Sequence, residues 1–253
     1  MCSFLRCLYC GLAYTNANGL APQIWDSIIQ NHDTSSLTRF LLITFTDLKK
    51  YKFYYWFAFP AFAAQPLWEI DDDWTAAESH FSEAQLNSLA KQLSLQARAF
   101  FIVRPAQGDS VEVAPVQDFT AFFENVPEQS VRTCIILHVQ TMMPDDFQRT
   151  IGFLDPSAQA SAPGWPLRNF LAYLRAVHPE ATRAVRVLCW RGDASSSRFG
   201  ILRGGPTGTE KQSVVGWEKN VQGKLGPRVA DLAPMMDPKR SDLIFCCAGT
   251  LII

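Results

Sequence analysis

Cys7 and Cys10 stand at the two-residue spacing of half a zinc site, and closing such a site takes two more thiolate or imidazole ligands. The other cysteines, Cys134, Cys189 and the adjacent Cys246 and Cys247, do not repeat that spacing. The histidines are scattered at positions 32, 80, 138 and 178, so no metal centre is expected. RGGPTGTEKQS, Arg203–Ser213, has the glycines of a phosphate loop. Such a loop needs G-x-x-x-x-G-K-[ST], so that backbone N–H groups wrap the phosphates and the lysine reaches them. Here Gly208 is followed by Thr209 and Glu210, and the glutamate repels phosphate, so the segment reads as a plain loop. Arg191-Gly192-Asp193 reads as a chance tripeptide, and no Cys–His or Ser–His–Asp arrangement has a local signature. Catalytic chemistry is therefore not expected.

What remains is denser in binding chemistry. PGWPLRNFLAYLRAVHP at Pro163–Pro179 and GWEKNVQGKLGPRVADLAPMMDPKR at Gly216–Arg240 concentrate Trp, Pro, Gly and Arg in a way that core sequence rarely does.

The chain that must position these segments has 253 residues and 48% hydrophobic content, enough for one large domain or two lobes with a real core. A net charge of −1 gives no global field for nucleic acid or an anionic membrane, and neither partner is expected. No apolar run reaches the roughly 18–20 residues of a membrane-spanning helix. The start, MCSFLRCLYCGLAY, only superficially resembles a signal peptide, because Cys, Tyr and Gly break its apolar stretch. Seven cysteines bunched toward the ends are not a disulfide framework, which points to a reducing compartment, with Cys134 and Cys189 as small buried hydrophobes.

Along the chain, IWDSIIQ at Ile24–Gln30 has helical spacing, and Leu37, Leu41, Phe45 and Leu48 follow close to a further i, i+4, i+8 rhythm that predicts a second helix. KYKFYYWFAFP predicts a strand ended by Pro60, with Tyr51, Phe53, Tyr55, Phe57 and Phe59 on one face and Tyr54 and Trp56 on the other, buried on both sides. From Phe53 to Ala90 there is no Lys or Arg, and Glu69, Asp71, Asp72, Asp73, Glu78 and Glu83 read as a solvated linker rather than an acidic docking loop. Ser82 and Gln85 form a capping box for a helix through Leu86, Leu89, Leu93 and Ala97. FFIVRP and VEVAPV pair around QGDS, DFTAFFENV is a short helix, and VRTCIILHVQ and TIGFLDPS are strands. Pro166 opens a helix that ends before Pro179, and ATRAVRVLCWR and RFGILR are the last clear strands. The irregular alternation gives α+β as the fold class, with mixed sheets, flanking helices and room for two lobes; α/β is the alternative.

Three blocks then match a family in order and separation: Leu41–Ala61, Asp155–Leu171 and Val214–Arg240, with a weaker echo at GLAYTNANGL. They closely resemble the N-terminal domain of the ubiquitin-like-modifier-activating enzymes of macroautophagy, over roughly Gly11–Arg240. The resemblance implies an α+β module that recruits the autophagy conjugating enzymes. It also implies a separate C-terminal domain that adenylates the lipid-conjugated and twelve-type modifiers with ATP and Mg²⁺, carries them as a thioester and forms the homodimer.

Residues 1–10 depart from that pattern, and so do residues 241–253, SDLIFCCAGTLII. Ala248-Gly249-Thr250-Leu251 echoes the family's G-x-G-x-x-G loop, but Cys247 and Ile252 stand where glycines belong. The expectation is a chain with no nucleotide site, cofactor or thioester cysteine of its own, inactive alone, that reaches modifiers and homodimerises only through the missing domain. A cytoplasmic location, at the preautophagosomal structure, goes with the resemblance. Interfaces are anchored by aromatics and Arg, which makes Trp165, Arg168, Trp217, Lys219 and Arg228 the partner-binding candidates; fixing loops against the core is the alternative role for each. As a whole, the chain reads as a recruiting module, with a non-catalytic competitor or an incomplete version of the full enzyme as alternatives.

Overall fold

The computed structural model describes residues 19–96, 98–124, 150–205, 212–217 and 227–236, which form two compact units. The first unit holds Gly19–Pro22, Arg39–Pro60 and the described residues from Val215 onward; the second holds Gln23–Thr38 and the described residues of Ala61–Val214. Helix α1 (residues 19–31) opens the described chain, as its helical spacing predicts.

The first unit is built on β1 (Leu41–Asp47) and β2 (Lys52–Ala63), an antiparallel pair with seven consecutive register partners from Leu41↔Ala58 to Asp47↔Lys52. The helix predicted through Leu41, Phe45 and Leu48 is thus a strand. A spacing of four satisfies a period of two as well as one of 3.6, and Ile43, Thr44, Phe45 and Thr46 are residues that favour a pleated ladder. The turn between the strands is held by Asp47, whose carboxylate and carbonyl both accept from Lys50 N–H at 3.3 and 3.2 Å. Tyr51 closes it at φ 51°, which takes it off the face that it was expected to share.

Pro60 does not end β2. The ladder to β1 stops at Ala58, so no β1 carbonyl waits for the missing N–H. β10 (Ser213–Trp217) and β11 (Arg228–Asp231) also pair with β2, β11 through Arg228↔Tyr55 to Asp231↔Lys52. Burial of β2 is one-sided in this unit. Trp56 and Ala58 are buried, whereas Phe53, Tyr55, Phe57 and Phe59 remain half-buried. Stacking of Phe40 on Phe57 at 5.2 Å and contacts of Phe53 with Tyr55 and Phe57 with Phe59 make that second face a row of rings.

The second unit carries a seven-stranded mixed sheet in the order β3-β9-β8-β7-β5-β6, with β4 also on β9. Its strands are β3 (Trp68–Ile70), β4 (Thr75–Ala76), β5 (Phe100–Ala106), β6 (Ser110–Ala114), β7 (Thr150–Leu154), β8 (Ala184–Trp190) and β9 (Arg198–Gly204). β5 and β6 form the predicted hairpin, with Gly108 at φ 71° in its turn. α2 (Glu83–Leu95) starts at the predicted capping box: Ser82 Oγ accepts from Gln85 N–H at 3.1 Å, and Gln85 Oε1 accepts from Ser82 N–H at 3.0 Å. Its Leu86, Leu89 and Leu93 cluster with Phe101, Val103, Val111, Leu188 and Trp190 on one face of the sheet.

On the other face Phe100 meets Phe170 of α4 (Pro166–Val177) at 4.7 Å. Helices on both faces explain why Phe100–Val103 is buried without interruption. Gly152 is required by the packing, since a Cβ there would lie 2.2 Å from the Phe101 ring. The short helix α3 (Phe119–Glu124) follows β6. The strand expected at VRTCIILHVQ, with Cys134, lies outside the described residues.

Candidate partner-binding surface

β7 and β8 are parallel neighbours joined through α4, so the loops leaving their C-terminal ends emerge side by side. The first loop, Asp155–Trp165, is wound around one carboxylate. Asp155 has a fully buried side chain, and its N–H donates to Trp190 O at 2.8 Å. Its Oδ1 accepts from Ser157 N–H at 3.0 Å and Gly164 N–H at 2.8 Å. Its Oδ2 accepts from Arg191 Nε at 2.9 Å and forms an ion pair with the same guanidinium, whose Nη2 lies 2.8 Å from that oxygen. Ser157 Oγ ties the loop to itself by donating to Ala162 O at 2.7 Å. Gly164 has to be glycine because a Cβ would stand 2.7 Å from Asp155 Oδ1.

The second loop supplies the cation. Arg191 N–H donates to Ser197 Oγ at 3.0 Å, and the Ser197 side chain sits in the interior. Asp193 accepts from Ser195 Oγ at 2.7 Å and Ser196 N–H at 2.8 Å, and the Ser195 bond first among these holds its carboxyl below the usual range. Arg191-Gly192-Asp193 is therefore a structural turn. Cys189, one residue before Trp190, is buried as expected; burial and then Asp155 push its thiol well up, so it is no nucleophile.

This frame delivers Trp165 and Arg168. Trp165 is half-exposed at the head of α4, and Pro166 takes the first helical position, where its missing N–H costs nothing. α4 is buried on almost every side, and Arg168 is its one exposed residue. Asn169 next to it is fully buried: its Oδ1 accepts from Phe62 N–H at 3.0 Å and its Nδ2 donates to Leu37 O at 2.7 Å. Tyr173, one turn on, donates to His32 O at 3.1 Å; burial and then Asp33 raise its phenol to about 12.

The other candidates belong to the first unit. Arg228 is exposed at the start of β11, Trp217 ends β10, and Lys219 lies outside the described residues. The structure thus brings Trp165 and Arg168 together and leaves Arg228 and Trp217 on a different sheet. Asp155, Gly164, Arg191 and Ser197 are the residues that sequence reasoning missed. Each type is ordinary in a loop, and a pair 36 residues apart leaves no local signature.

Elsewhere in the second unit, His80, Phe81, Gln85, Thr150 and Arg186 line a cavity of about 200 Å³. His80 stacks on Phe199 at 4.2 Å, and Arg186 lies over the same ring at 5.0 Å. Burial first, then Arg186, lowers the His80 pKa. The carboxylates of the acidic stretch are exposed, as expected, but the stretch is not a linker: it supplies β3 and β4 to the sheet, and both Asp71 oxygens lie 2.7 Å from Arg203 Nε on β9. Among the described residues no cluster of His, Cys, Asp or Glu is arranged to hold a metal, and no helix is long and apolar enough to cross a membrane.

Residues 16–236 match the family model described as the N-terminus of the ubiquitin-like modifier-activating enzyme ATG7. Among curated proteins, the ATG7 of Cryptococcus neoformans strain B-3501A is 34% identical over 226 residues, and those of Gallus gallus and Homo sapiens are each 32% identical over 239. The alignments take in 87% of this chain but only 30–31% of those proteins, so the chain spans about a third of its relatives' length. Among solved structures, the Atg7 N-terminal domain of Kluyveromyces marxianus superposes with a TM-score of 0.52 at 21% identity, covering 87% of this chain and 66% of that one. The Kluyveromyces marxianus Atg7NTD–Atg10 complex gives the same TM-score at 20% identity and covers 68% of its chain. With an α+β fold shared with those domains and a family match over most of its length, the chain belongs to the ATG7 family, to which it corresponds in the N-terminal region.

Proposed function

We propose that this chain is a docking module that holds an autophagy conjugating enzyme so that a modifier thioester can be passed to it. The observation that carries the reading is the solved complex of a domain of the same fold with Atg10. Trp165 and Arg168 are the contact residues the surface favours. A half-exposed tryptophan and the one exposed residue of an otherwise buried helix combine a flat apolar area with a guanidinium, the usual anchors of an interface. Trp165 ends the loop held by the Asp155–Arg191 pair, and Arg168 sits in the first turn of the helix that follows it, which limits the freedom lost on binding.

Activation of the lipid-conjugated and twelve-type modifiers with ATP and Mg²⁺ belongs, in this reading, to the longer family members. No nucleotide step is assigned to any residue here; the echo at Cys247–Ile252 lies outside the described residues. The module works in the cytoplasm, at the preautophagosomal structure.

The test is direct binding of the purified chain to a purified Atg10-type conjugating enzyme by calorimetry. Binding is expected, and Arg168→Ala should weaken it by about tenfold or more if Arg168 is an anchor, without altering thermal stability. Absence of binding to any autophagy conjugating enzyme would remove the docking reading. Binding untouched by Arg168→Ala or Trp165→Ala would move the contact elsewhere.

A further inference from the structure

Most guanidinium groups of the second unit are matched from within. Arg104 pairs with Glu112, Arg191 with Asp155 and Arg203 with Asp71, and Arg175 donates to the Pro179 carbonyl. Arg98, two residues before β5, is different. Its Nη1 is shut off from solvent and meets no hydrogen-bond acceptor among the described residues. The residue as a whole is only half-buried, so part of the side chain reaches the surface.

Two hydrogen bonds tie this position to the surface that carries Trp165. Ala99 O accepts from Leu154 N–H at 2.9 Å, which continues the β5–β7 ladder one pair past Phe100↔Phe153. The residue after Leu154 is Asp155, whose Oδ1 accepts from Gly164 N–H at 2.8 Å, and Gly164 adjoins Trp165. Arg98 therefore stands on the same rim of the sheet as Trp165 and the first turn of α4, where Arg168 is exposed. Two apolar side chains share that rim: Leu95, which ends α2, is 76% exposed and Leu154 43%. Residues 96–99 and 155–168 contain one carboxylate, Asp155, and it is already committed to Arg191, Ser157 and Gly164.

We propose that Arg98 receives a carboxylate of the conjugating enzyme docked at Trp165 and Arg168, which extends that contact along the rim to a second guanidinium. The inference rests on the docking reading above. A buried donor without an acceptor is costly, and a side chain with no polar anchor turns outward on its flexible stem at little expense. A carboxylate brought to the rim relieves that cost, because the planar fork matches it with two parallel hydrogen bonds. Arg191 gains nothing comparable, since it would first have to give up Asp155. The charge balance selects the same partner: the two rim segments offer Arg98 and Arg168, so an acidic segment bordered by apolar side chains is the complement.

Calorimetric titration of the 253-residue chain with a purified Atg10-type conjugating enzyme, repeated at several NaCl concentrations, tests it. Arg98→Met keeps a stem of similar length without the charge; it should weaken binding about tenfold and flatten the salt dependence. Its thermal stability should match or exceed that of the native chain, since the substitution removes an unmatched donor rather than an internal contact. Should Arg98→Met fail to fold by circular dichroism, Arg98→Lys keeps the charge without the fork and should weaken binding about threefold. Native affinity in the folded variant overturns the proposal and leaves the docking reading standing. Weaker binding by Arg98→Met with the salt dependence unchanged points to an uncharged acceptor and overturns it too. So does a folded variant markedly less stable than the native chain, which would reveal an internal partner for Arg98. A native chain that binds no autophagy conjugating enzyme defeats the docking reading and this inference together, and that outcome shows before any variant is made.

Discussion

The two sheets use aromatic and aliphatic residues in similar density and to opposite ends. In the second unit β5, β7 and β8 are covered by α2 on one face and α4 on the other, and Phe100–Val103 are all nearly inaccessible. In the first unit β2 is as rich in rings, yet Phe53, Tyr55, Phe57 and Phe59 stay half-buried and β1 exposes Leu42 and Phe45. The difference teaches that apolar content alone does not mark the core. What buries a strand is a helix on each side, and in the second unit both helices are announced by their own caps, Ser82 with Gln85 and Pro166. Local stability follows buried contacts, so the second unit is the resistant part of the molecule and the first the part that opens more easily.

The sharpest way to break this contrast is to attack the second unit from inside. Asp155→Ala leaves the Arg191 guanidinium buried without its carboxylate and frees Gly164 N–H, and should cost about 3–5 kcal/mol in chemical denaturation. A loss under about 1 kcal/mol would mean that the loop is not held by this pair.

A smaller effect should appear with pH. His178 stacks on Phe119 at 4.4 Å, and burial, then His32, lowers its pKa below the ordinary 6.5. The unfolded chain therefore takes up the proton first, so stability is full above about pH 6.5 and declines as the pH falls through that value toward the folded pKa. Thermal melts across that window should show a shallower slope for His178→Gln, with His80, also lowered, supplying the remainder. An unchanged slope would assign the pH dependence to other groups.

The smallest effect belongs to the first unit. Leu42→Ser removes an exposed leucine and should shift the unfolding free energy by no more than about 0.5 kcal/mol. A loss of several times that would show that this face is covered in solution, and the contrast between the sheets would narrow.

Much of the fold could be read from local chemistry. The capping box, the hairpin around Gln107–Ser110 and the proline-led α4 each place their determinants within a few residues of one another, and each forms as expected. β1 was misread because Leu37, Leu41 and Phe45 fit two periods at once, and only the partner strand β2 decides between them. β10 and β11 fall in a segment whose Trp, Gly and Pro spacing drew attention as a motif and masked two short strands. At the surface, Trp165 and Arg168 stood out by residue type, whereas the frame beneath them depends on Asp155 meeting Arg191 across two parallel strands. Sequence spacing carries no record of such a meeting.

Cys189 has a practical consequence. It lies on β8, in the middle of the seven-stranded sheet, with no measurable surface and a thiol that burial keeps protonated. A thiol reagent can therefore reach it only while the second unit is open, so its labelling rate in dilute denaturant measures how often that sheet comes apart, independently of any spectroscopic signal from the many aromatic rings.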